Sequence, residues 1–124
     1  MNKTLAWCEI AVTDVNRAKA FYSKVLGWEF IDENMDGFIM AIIKAEQADL
    51  ATGALVKADG YLPSKTASVI YLYAGDDLAH ALGRASELGS EVLVPKTGID
   101  DGKGGFFAQL VDSEGNRVGL YSLN

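Results

Sequence analysis

The chain carries the same order of predicted elements twice, and this repetition constrains its fold more than any other feature. Shifting the 124-residue sequence by half its length, 62 residues, places Asp14 on Asp76 and Leu26-Gly27 on Leu88-Gly89. The match is weak residue by residue, but the order β-α-β-β-β agrees in both halves and indicates an internal repeat. The helix of each half leaves one sheet face uncovered. The sequence therefore predicts an α+β domain of paired βαβββ modules, with mixed curved sheets around a cleft.

Each half contains one helix with a clear beginning and end. In the first half Asp14 is the predicted N-cap and Gly27 ends the helix. In the second half Asp76 or Asp77 is the predicted cap, and Gly89 ends the helix. The apolar residues at helical spacing, which predict the buried faces, are Ala18, Phe21, Tyr22, Val25 and Leu26 in the first helix and Leu78, Ala81, Leu82, Ala85 and Leu88 in the second.

Apolar runs separated by turn residues predict the strands and loops. In the first half the strands are 4–12, 28–31, 38–44 and 53–57, with a turn at 32–37 and a loop at 46–52. In the second half they are 66–73, 91–94 (ended by Pro95), 106–111 and 117–122, with a mobile glycine-rich loop at 97–105 and a turn at 112–116. Asp59-Gly60 and Pro63 make 58–65 the predicted linker between modules 1–57 and 66–124 of a single domain, 1–124.

Charge and cysteine content exclude some classes of partner and compartment. The formal net charge is −6, which disfavours nucleic-acid phosphates and anionic membrane surfaces. Cys8 is the single cysteine and cannot form an intrachain disulfide. No apolar run approaches the length of a membrane span, and the first residues are a poor signal peptide. We therefore expect a cytoplasmic protein that binds neither nucleic acid nor membrane.

Two stretches of sequence carry a family resemblance. The residues 9–14, Arg17-Ala18, Phe21-Tyr22 and 26–28 resemble the opening of the vicinal oxygen chelate superfamily, which includes glyoxalase I, extradiol dioxygenases, fosfomycin-resistance enzymes and bleomycin-resistance proteins. The residues 106–108, Asp112, Gly115-Asn116 and 118–120 are similar to its closing strand pair, with Ser113 where a proline is common. The resemblance implies the paired βαβββ fold and a small-molecule cleft, and it implies a homodimer because many relatives build their clefts between subunits.

The resemblance also implies positions for the ligands of a divalent metal, which in this family are His, Glu or Gln. These positions fall on Trp7, on Val69 or Ile70, and on Gly119, none of which can bind a metal ion. The strand 53–56 offers no donor side chain, and His80, the single histidine, lies in the second helix. We therefore expect neither a metal by the family's scheme nor any other cofactor.

Glu9 is the candidate anchor or catalytic residue of the cleft. Strand alternation places it on the same face as Trp7, whereas Cys8 and Ile10 face the helix. A carboxylate buried among apolar side chains needs a partner or takes a raised pKa. Glu9 is therefore either a ligand anchor or general base with a raised pKa, or a structural partner of an Arg, Lys or Tyr from the opposite half.

Six more residues complete the predicted ligand-binding set, in which Trp7 and Glu9 are already included. They lie on predicted strands with side chains suited to stacking or hydrogen bonding, and they are Trp28, Met40, Tyr71, Tyr73, Phe107 and Gln109. The shift of 62 residues makes Tyr71 the counterpart of Glu9. For each of the six, core packing or an ordinary exposed strand position is the alternative role.

Three functions remain open at this point. The first is a protein that binds a small organic molecule in a metal-free cleft, as the resemblance to bleomycin-resistance proteins implies for a cationic drug. The second is an enzyme, either a lyase or isomerase with Glu9 as base, or a dioxygenase-type enzyme whose unusual metal site includes Glu9 and Gln109. The third is a structural or regulatory dimer with a filled cavity.

Overall fold

The order β-α-β-β-β is present twice, which confirms the predicted fold class. The computed structural model describes residues 5–45 and 52–124. Within those residues there are two helices and eight strands: β1 (Cys8–Ala11), α1 (Val15–Leu26), β2 (Phe30–Met35), β3 (Phe38–Ile43), β4 (Gly53–Lys57), β5 (Tyr71–Tyr73), α2 (Leu78–Glu87), β6 (Val92–Gly98), β7 (Phe106–Val111) and β8 (Arg117–Ser122).

The strands form two four-stranded sheets with the same topology. The N-terminal sheet has the order β1-β4-β3-β2, and the C-terminal sheet has the order β5-β8-β7-β6. In each sheet the first strand pairs in parallel with the last, and the other neighbours are antiparallel. The parallel register places Glu9 beside Ala54 and Tyr71 beside Gly119.

Both helices are capped by aspartates. The Asp14 carboxylate accepts a hydrogen bond from the backbone N–H of Arg17 at 3.0 Å, and Gly27 ends α1 with a φ of 71°. For α2 the open alternative is resolved, because Asp77 is the cap and accepts a hydrogen bond from the N–H of Ala79 at 2.9 Å.

One large core joins the two halves. The helices α1 and α2 pack against each other and against one face of each sheet. The buried residues of this core are Ile10, Val12, Ala18, Phe21, Tyr22, Val25, Ala41, Leu55, Leu72, Leu78, Ala81, Ala85, Ala108, Leu110, Val118 and Leu120. The opposite face of each sheet, which we call its helix-free face, carries the alternate residues of the same strands.

Several predicted boundaries are wrong for identifiable reasons. The predicted turn 32–37 is mostly strand, since β2 runs to Met35 and Asp36-Gly37 alone forms the left-handed turn. The predicted strand 66–73 shortens to β5, and upstream of it Ser64 is bound to Asn116 of the turn and to the first residue of β8, Arg117. Leu88, predicted to be buried, is the C-cap of α2 and is 50% exposed.

The strand β6 extends past the predicted stop at Pro95 and takes in Thr97 and Gly98, which were predicted to be loop. A proline is tolerated there because β6 is an edge strand with two register irregularities against β7.

Most of the predicted loop 46–52 lies outside the described residues. Of the helices in the described part of the chain, neither is long and apolar enough to cross a membrane.

The turn 112–116 locks the second half onto the first. The Tyr22 hydroxyl donates to the buried Asp112 carboxylate at 2.6 Å, and the Asn116 side-chain amide donates to the carbonyl oxygen of Ala11 at 2.8 Å. Burial and the neighbouring charge of Asp112 raise the pKa of Tyr22 well above its ordinary value. The first helix and first strand are thus tied to a turn that lies near the opposite end of the sequence.

Glu114 is the second part of this lock. Its side chain is fully covered, and one carboxylate oxygen accepts hydrogen bonds from the N–H groups of Thr13 and Asp14 at 2.9 Å each. The Arg17 guanidinium donates to the other oxygen at 2.7 Å. Burial alone would raise the pKa of Glu114, but the hydrogen bonds from Arg17, Asp14, Thr13 and Ser113 outweigh it and lower the pKa to about 2.

Replacing Glu114 with Gln should lower the free energy of unfolding at neutral pH by about 1–3 kcal/mol, because charge-assisted hydrogen bonds are lost. The folded-state pKa of Glu114 lies below its ordinary value of 4.5, so its contribution is present above that pH and is lost as the pH falls toward about 2. Urea unfolding of both proteins across this range measures the difference, which should shrink as the pH falls. Glu33→Gln, at an exposed glutamate of β2, is the matched control. A Glu114→Gln effect that does not change with pH would contradict this account.

Candidate functional site

The two helix-free faces are the candidate binding surfaces, and the linker covers one of them. In the N-terminal sheet Met40, Ala54 and Val56 are buried there, packed against Phe38 and Tyr61. The rings of Phe38 and Tyr61 meet edge to face, with centroids 5.5 Å apart. The linker therefore closes the middle of this face.

Glu9 lies at the border of this covered region. It is exposed, contrary to the expectation of a buried carboxylate. The Tyr61 hydroxyl donates to one of its carboxylate oxygens at 2.6 Å, and the Trp7 indole N–H donates to the other at 3.2 Å. The hydrogen bond to Glu9 raises the pKa of Tyr61. The partner of Glu9 is thus a linker tyrosine, and not a residue of the opposite half.

The helix-free face of the C-terminal sheet is open and holds an aromatic cavity of about 260 Å³. It is lined by Tyr71, Ile99, Phe107 and Tyr121. Alternation along β5, β7 and β8 brings three of these rings to one face, while Leu72, Ala108 and Leu120 enter the core. The rings of Tyr71 and Phe107 meet edge to face, with centroids 6.1 Å apart.

A turn fixes Ile99 at the edge of this aromatic cavity. The N–H of Ile99 donates to the carbonyl of Gly105, and the N–H of Gly104 donates to the carbonyl of Ile99, both at 2.9 Å. The Tyr121 hydroxyl donates to the carbonyl of Gly104, also at 2.9 Å. The predicted glycine-rich loop is therefore a hydrogen-bonded turn attached to the sheet.

A row of polar side chains crosses the same face. The Arg117 guanidinium donates to the side-chain oxygen of Gln109 at 2.7 Å, and the side-chain amide of Gln109 donates to the Tyr71 hydroxyl oxygen at 2.7 Å. Arg117 also donates to the carbonyl of Lys65 at 2.9 Å. The tyrosine hydroxyl is thereby held at the aromatic cavity by two side chains from β7 and β8.

The ring of Tyr71 lies directly on Gly119. A Cβ atom on Gly119 would come within 2.3 Å of Cδ1 and 2.8 Å of Cγ of the ring. Such distances do not occur between real atoms, so any other residue at 119 would displace the ring. The absence of a side chain on β8 is what gives Tyr71 its position.

Comparison with known proteins identifies the family. The family model described as the Glyoxalase/Bleomycin resistance protein/Dioxygenase superfamily matches residues 4–120. The chain belongs to this superfamily. CFP32, a Mycobacterium tuberculosis protein described as a candidate glyoxylase, is 27% identical over 123 residues. That match covers 95% of the chain and 45% of the mycobacterial protein, so the chain spans about half of that relative's length.

Solved structures of the superfamily have the same fold. FosX, a fosfomycin resistance protein from Listeria monocytogenes, has a TM-score of 0.69 at 20% identity, with 98% of this chain and 94% of FosX covered. TnmS3, an antibiotic-binding protein from Streptomyces, has a TM-score of 0.63 at 23% identity, with 97% and 95% covered. At these identities the likeness shows the fold alone.

The divalent metal used by many superfamily enzymes does not fit the residues present here. Of the positions that the family resemblance assigns to ligands, Trp7 donates its N–H to Glu9, and Gly119 lies under the Tyr71 ring. Among residues 5–45 and 52–124, no three His, Cys, Asp or Glu side chains form a group that could hold a metal ion. An ion bound at Gly119 would have to displace an aromatic ring and would gain no donor in return.

The structure does not bring all the predicted site residues together. Trp28 stacks on Tyr22 with centroids 4.8 Å apart, on the helix side of the sheet and away from the aromatic cavity. Met40 is buried under the linker side of the other sheet. Tyr73 shares the strand face of Tyr71 and is 64% exposed, but it does not line the cavity. Of the predicted residues, Tyr71, Phe107 and Gln109 meet on the C-terminal sheet. Trp7 and Glu9 meet on the N-terminal sheet.

Ile99, Tyr121 and Arg117 belong to this site but were not predicted. Tyr121 and Arg117 alternate with Gly119 along β8, so the strand pattern would have placed both on the helix-free face. Nothing comparable in the sequence marks Ile99, whose position depends on the fold of the turn.

A second groove, of about 400 Å³, lies between the start of α1 and the strands β2 and β3. Its lining includes Lys19 and Asp32, which form an ion pair at 2.8 Å, together with Asn16 and Asn34. These polar groups suit water better than an apolar ligand.

Cys8 is also a poor reactive group, because burial and then the charge of Glu9 raise its thiol pKa.

Substituting Gly119 with Ala should destabilise the protein by about 1–3 kcal/mol, because the new methyl group forces the Tyr71 ring out of its place. In a Tyr71→Ala background the same substitution should cost much less. Chemical denaturation of the four proteins of this double-mutant cycle gives the coupling energy. Additive effects of the two substitutions would show that the ring does not depend on the glycine.

Proposed function

We propose that this chain binds a small, partly aromatic organic molecule in the aromatic cavity of the C-terminal sheet, without a metal ion. The observation that carries the proposal is the Tyr71 ring lying on Gly119, at a position where the family resemblance places a metal ligand. An aromatic ring thus occupies the space beside a position that the resemblance assigns to an ion-binding side chain. Apolar walls with a few fixed polar groups are typical of small-molecule sites.

The relatives support small-molecule binding as the general role. One is described as antibiotic-binding and another as a fosfomycin resistance protein. The aromatic cavity of this chain has the features that such a role needs: three rings for stacking, and the side chains of Gln109 and Arg117 beside them. A cytoplasmic location is part of the proposal, supported by the single unpaired Cys8.

A second candidate function is a lyase or isomerase that uses Glu9 as base. Its support is the carboxylate of Glu9, which is exposed and oriented by hydrogen bonds from Trp7 and Tyr61. A base needs such orientation to meet a substrate proton. This candidate ranks below binding because the aromatic cavity lies on the other sheet.

We also propose that the protein is a homodimer whose subunits meet around Glu9. Leu5 and Leu62 are 79% and 78% exposed, and Trp7 is 40% exposed. Trp7 and Tyr61 both donate to Glu9, and Leu5 and Leu62 lie within two residues of them in the chain. An exposed apolar patch with a polar centre is typical of a protein interface.

A ligand of the aromatic cavity should stabilise the protein against heat by about 2.7 kcal/mol at a hundredfold excess over its Kd. A thermal-shift screen of single-ring aromatic metabolites and antibiotics finds such molecules. Tyr71→Ala should abolish the shift, because the ring forms one wall of the cavity. Tyr73→Ala is the matched control and should leave the shift intact.

Two further arms separate the candidates. Ligand stabilisation that survives Tyr71→Ala but is lost in Glu9→Gln would move the site to the N-terminal sheet and favour the Glu9 function. Added zinc, nickel, manganese or ferrous iron should produce no stabilisation. A stoichiometric ion in the purified protein that is lost in Glu9→Ala would overturn the metal-free proposal.

Leu62→Asp should convert the dimer to a monomer, because a charge buried in an apolar interface is costly. Sedimentation velocity over a dilution series measures the oligomeric state. Leu123→Asp, at another leucine that is 63% exposed, is the control and should remain dimeric. A wild-type protein that sediments as a monomer at high concentration would contradict the proposed dimer.

A further inference from the structure

The hydrogen bonds from Arg117 to Gln109 to Tyr71 all point in the same direction. A guanidinium has donors only, so the atom of Gln109 that faces Arg117 at 2.7 Å is the carbonyl oxygen. The amide nitrogen of Gln109 must then face Tyr71, where it donates to the hydroxyl oxygen at 2.7 Å. The Arg117 guanidinium therefore fixes the orientation of the Gln109 amide.

This direction leaves the Tyr71 hydroxyl as a donor without a partner. Its oxygen already accepts from Gln109, and in the described parts of the chain its proton has no acceptor within hydrogen-bond distance. The other hydroxyl at the aromatic cavity, that of Tyr121, donates its proton to the carbonyl of Gly104. Tyr71 is thus the group at the cavity that offers a proton to a ligand.

The charge of Arg117 strengthens that donor. Its guanidinium donates to the neutral oxygens of Gln109 and Lys65, and among residues 5–45 and 52–124 it has no carboxylate within salt-bridge distance. A cation at the head of a hydrogen-bonded row polarises each bond in the same sense. Asp100 and Asp101 follow Ile99 at the edge of the cavity, but Arg117 is the charged group that is hydrogen-bonded into the row.

We propose that the ligand of the aromatic cavity is an aromatic acid, whose ring packs among Tyr71, Phe107 and Tyr121 and whose anionic oxygen accepts the Tyr71 hydroxyl proton. Gln109 and Arg117 are positioning residues that hold this hydroxyl and fix the direction of its proton. The inference rests on the proposed function, that of a binding cavity on the C-terminal sheet. It adds the chemical class of the ligand and the residue that selects it.

Three one-ring probes test the ligand class: benzoate, benzamide and benzylammonium share the ring and differ in charge. NMR titration of the tyrosine and phenylalanine ring resonances gives each affinity and shows whether the probe contacts the cavity. Benzoate should bind about tenfold more tightly than benzamide, as one charge-assisted hydrogen bond provides, and benzylammonium should bind weakest.

Variants test the selecting residue and its support. Tyr71→Phe keeps the ring and should remove the preference for benzoate, whereas Tyr73→Phe, on the same strand face, should keep it. Gln109→Glu places an acceptor in front of Tyr71, so the hydroxyl proton turns away from the cavity. That variant should keep its stability but bind benzoate about tenfold more weakly and prefer benzamide. Arg117→Met should lower the ratio of benzoate to benzamide affinity.

Each other outcome overturns the inference in a distinguishable way. Equal affinity for benzoate and benzamide, with both perturbing the Tyr71 ring, would remove the acid preference but leave the aromatic cavity as a binding site. A preference for benzylammonium would show that the acidic residues Asp100 and Asp101, which follow Ile99 in the turn, determine the electrostatic potential in the cavity. Failure of all three probes to perturb the cavity rings would overturn the ligand class. The metabolite screen then decides the proposed function separately.

Discussion

The rest of the structure depends on the buried carboxylate of Asp112. It accepts hydrogen bonds from the Tyr22 hydroxyl, from the backbone N–H groups of Glu114 and Asn116, and from the Asn116 side chain. A buried charge without such partners would cost several kcal/mol, and here every partner comes from α1 or from the turn that the charge organises. Because Asn116 also donates to Ala11, the same group fixes the first strand relative to β8. The buried Asp112 side chain therefore helps to fix the relation between the two helix-free faces.

The two halves have the same topology but use their helix-free faces differently. In the first half a linker tyrosine packs across the sheet and bonds to Glu9, so apolar residues of that face are already covered. In the second half a glycine on β8 lets a tyrosine lie flat against the sheet, and the rings around it stay accessible. The two halves thus share one topology. The sequence of each half determines whether its helix-free face is covered by the chain itself or is left open to another molecule.

Local signals predicted the elements well, and contacts between distant residues account for what they missed. The caps Asp14 and Gly27 and the apolar spacing of α1 are local features, so the sequence alone indicates where that helix begins, where it ends and which face it buries. Glu9 was assigned to the correct face for the same reason, but its partner Tyr61 lies in a linker whose path no periodicity encodes. Gly119 was recognised as a position without a metal donor. The sequence did not show that Tyr71 lies against this glycine, because that contact depends on the pairing of β5 with β8.

The position of β8 has a consequence for how the protein acquires its cavity. This strand follows the other seven in the sequence, yet it lies between β5 and β7 in the sheet. During synthesis β5 emerges before the strand with which it pairs, and such non-local pairing is slower than the formation of local contacts. Arg117, Gly119 and Tyr121 arrive together on that one strand, so the guanidinium, the space for the ring and one aromatic wall appear in a single late step. A nascent chain that lacks β8 therefore has no cavity with which to hold a ligand, and ligand cannot assist its early folding.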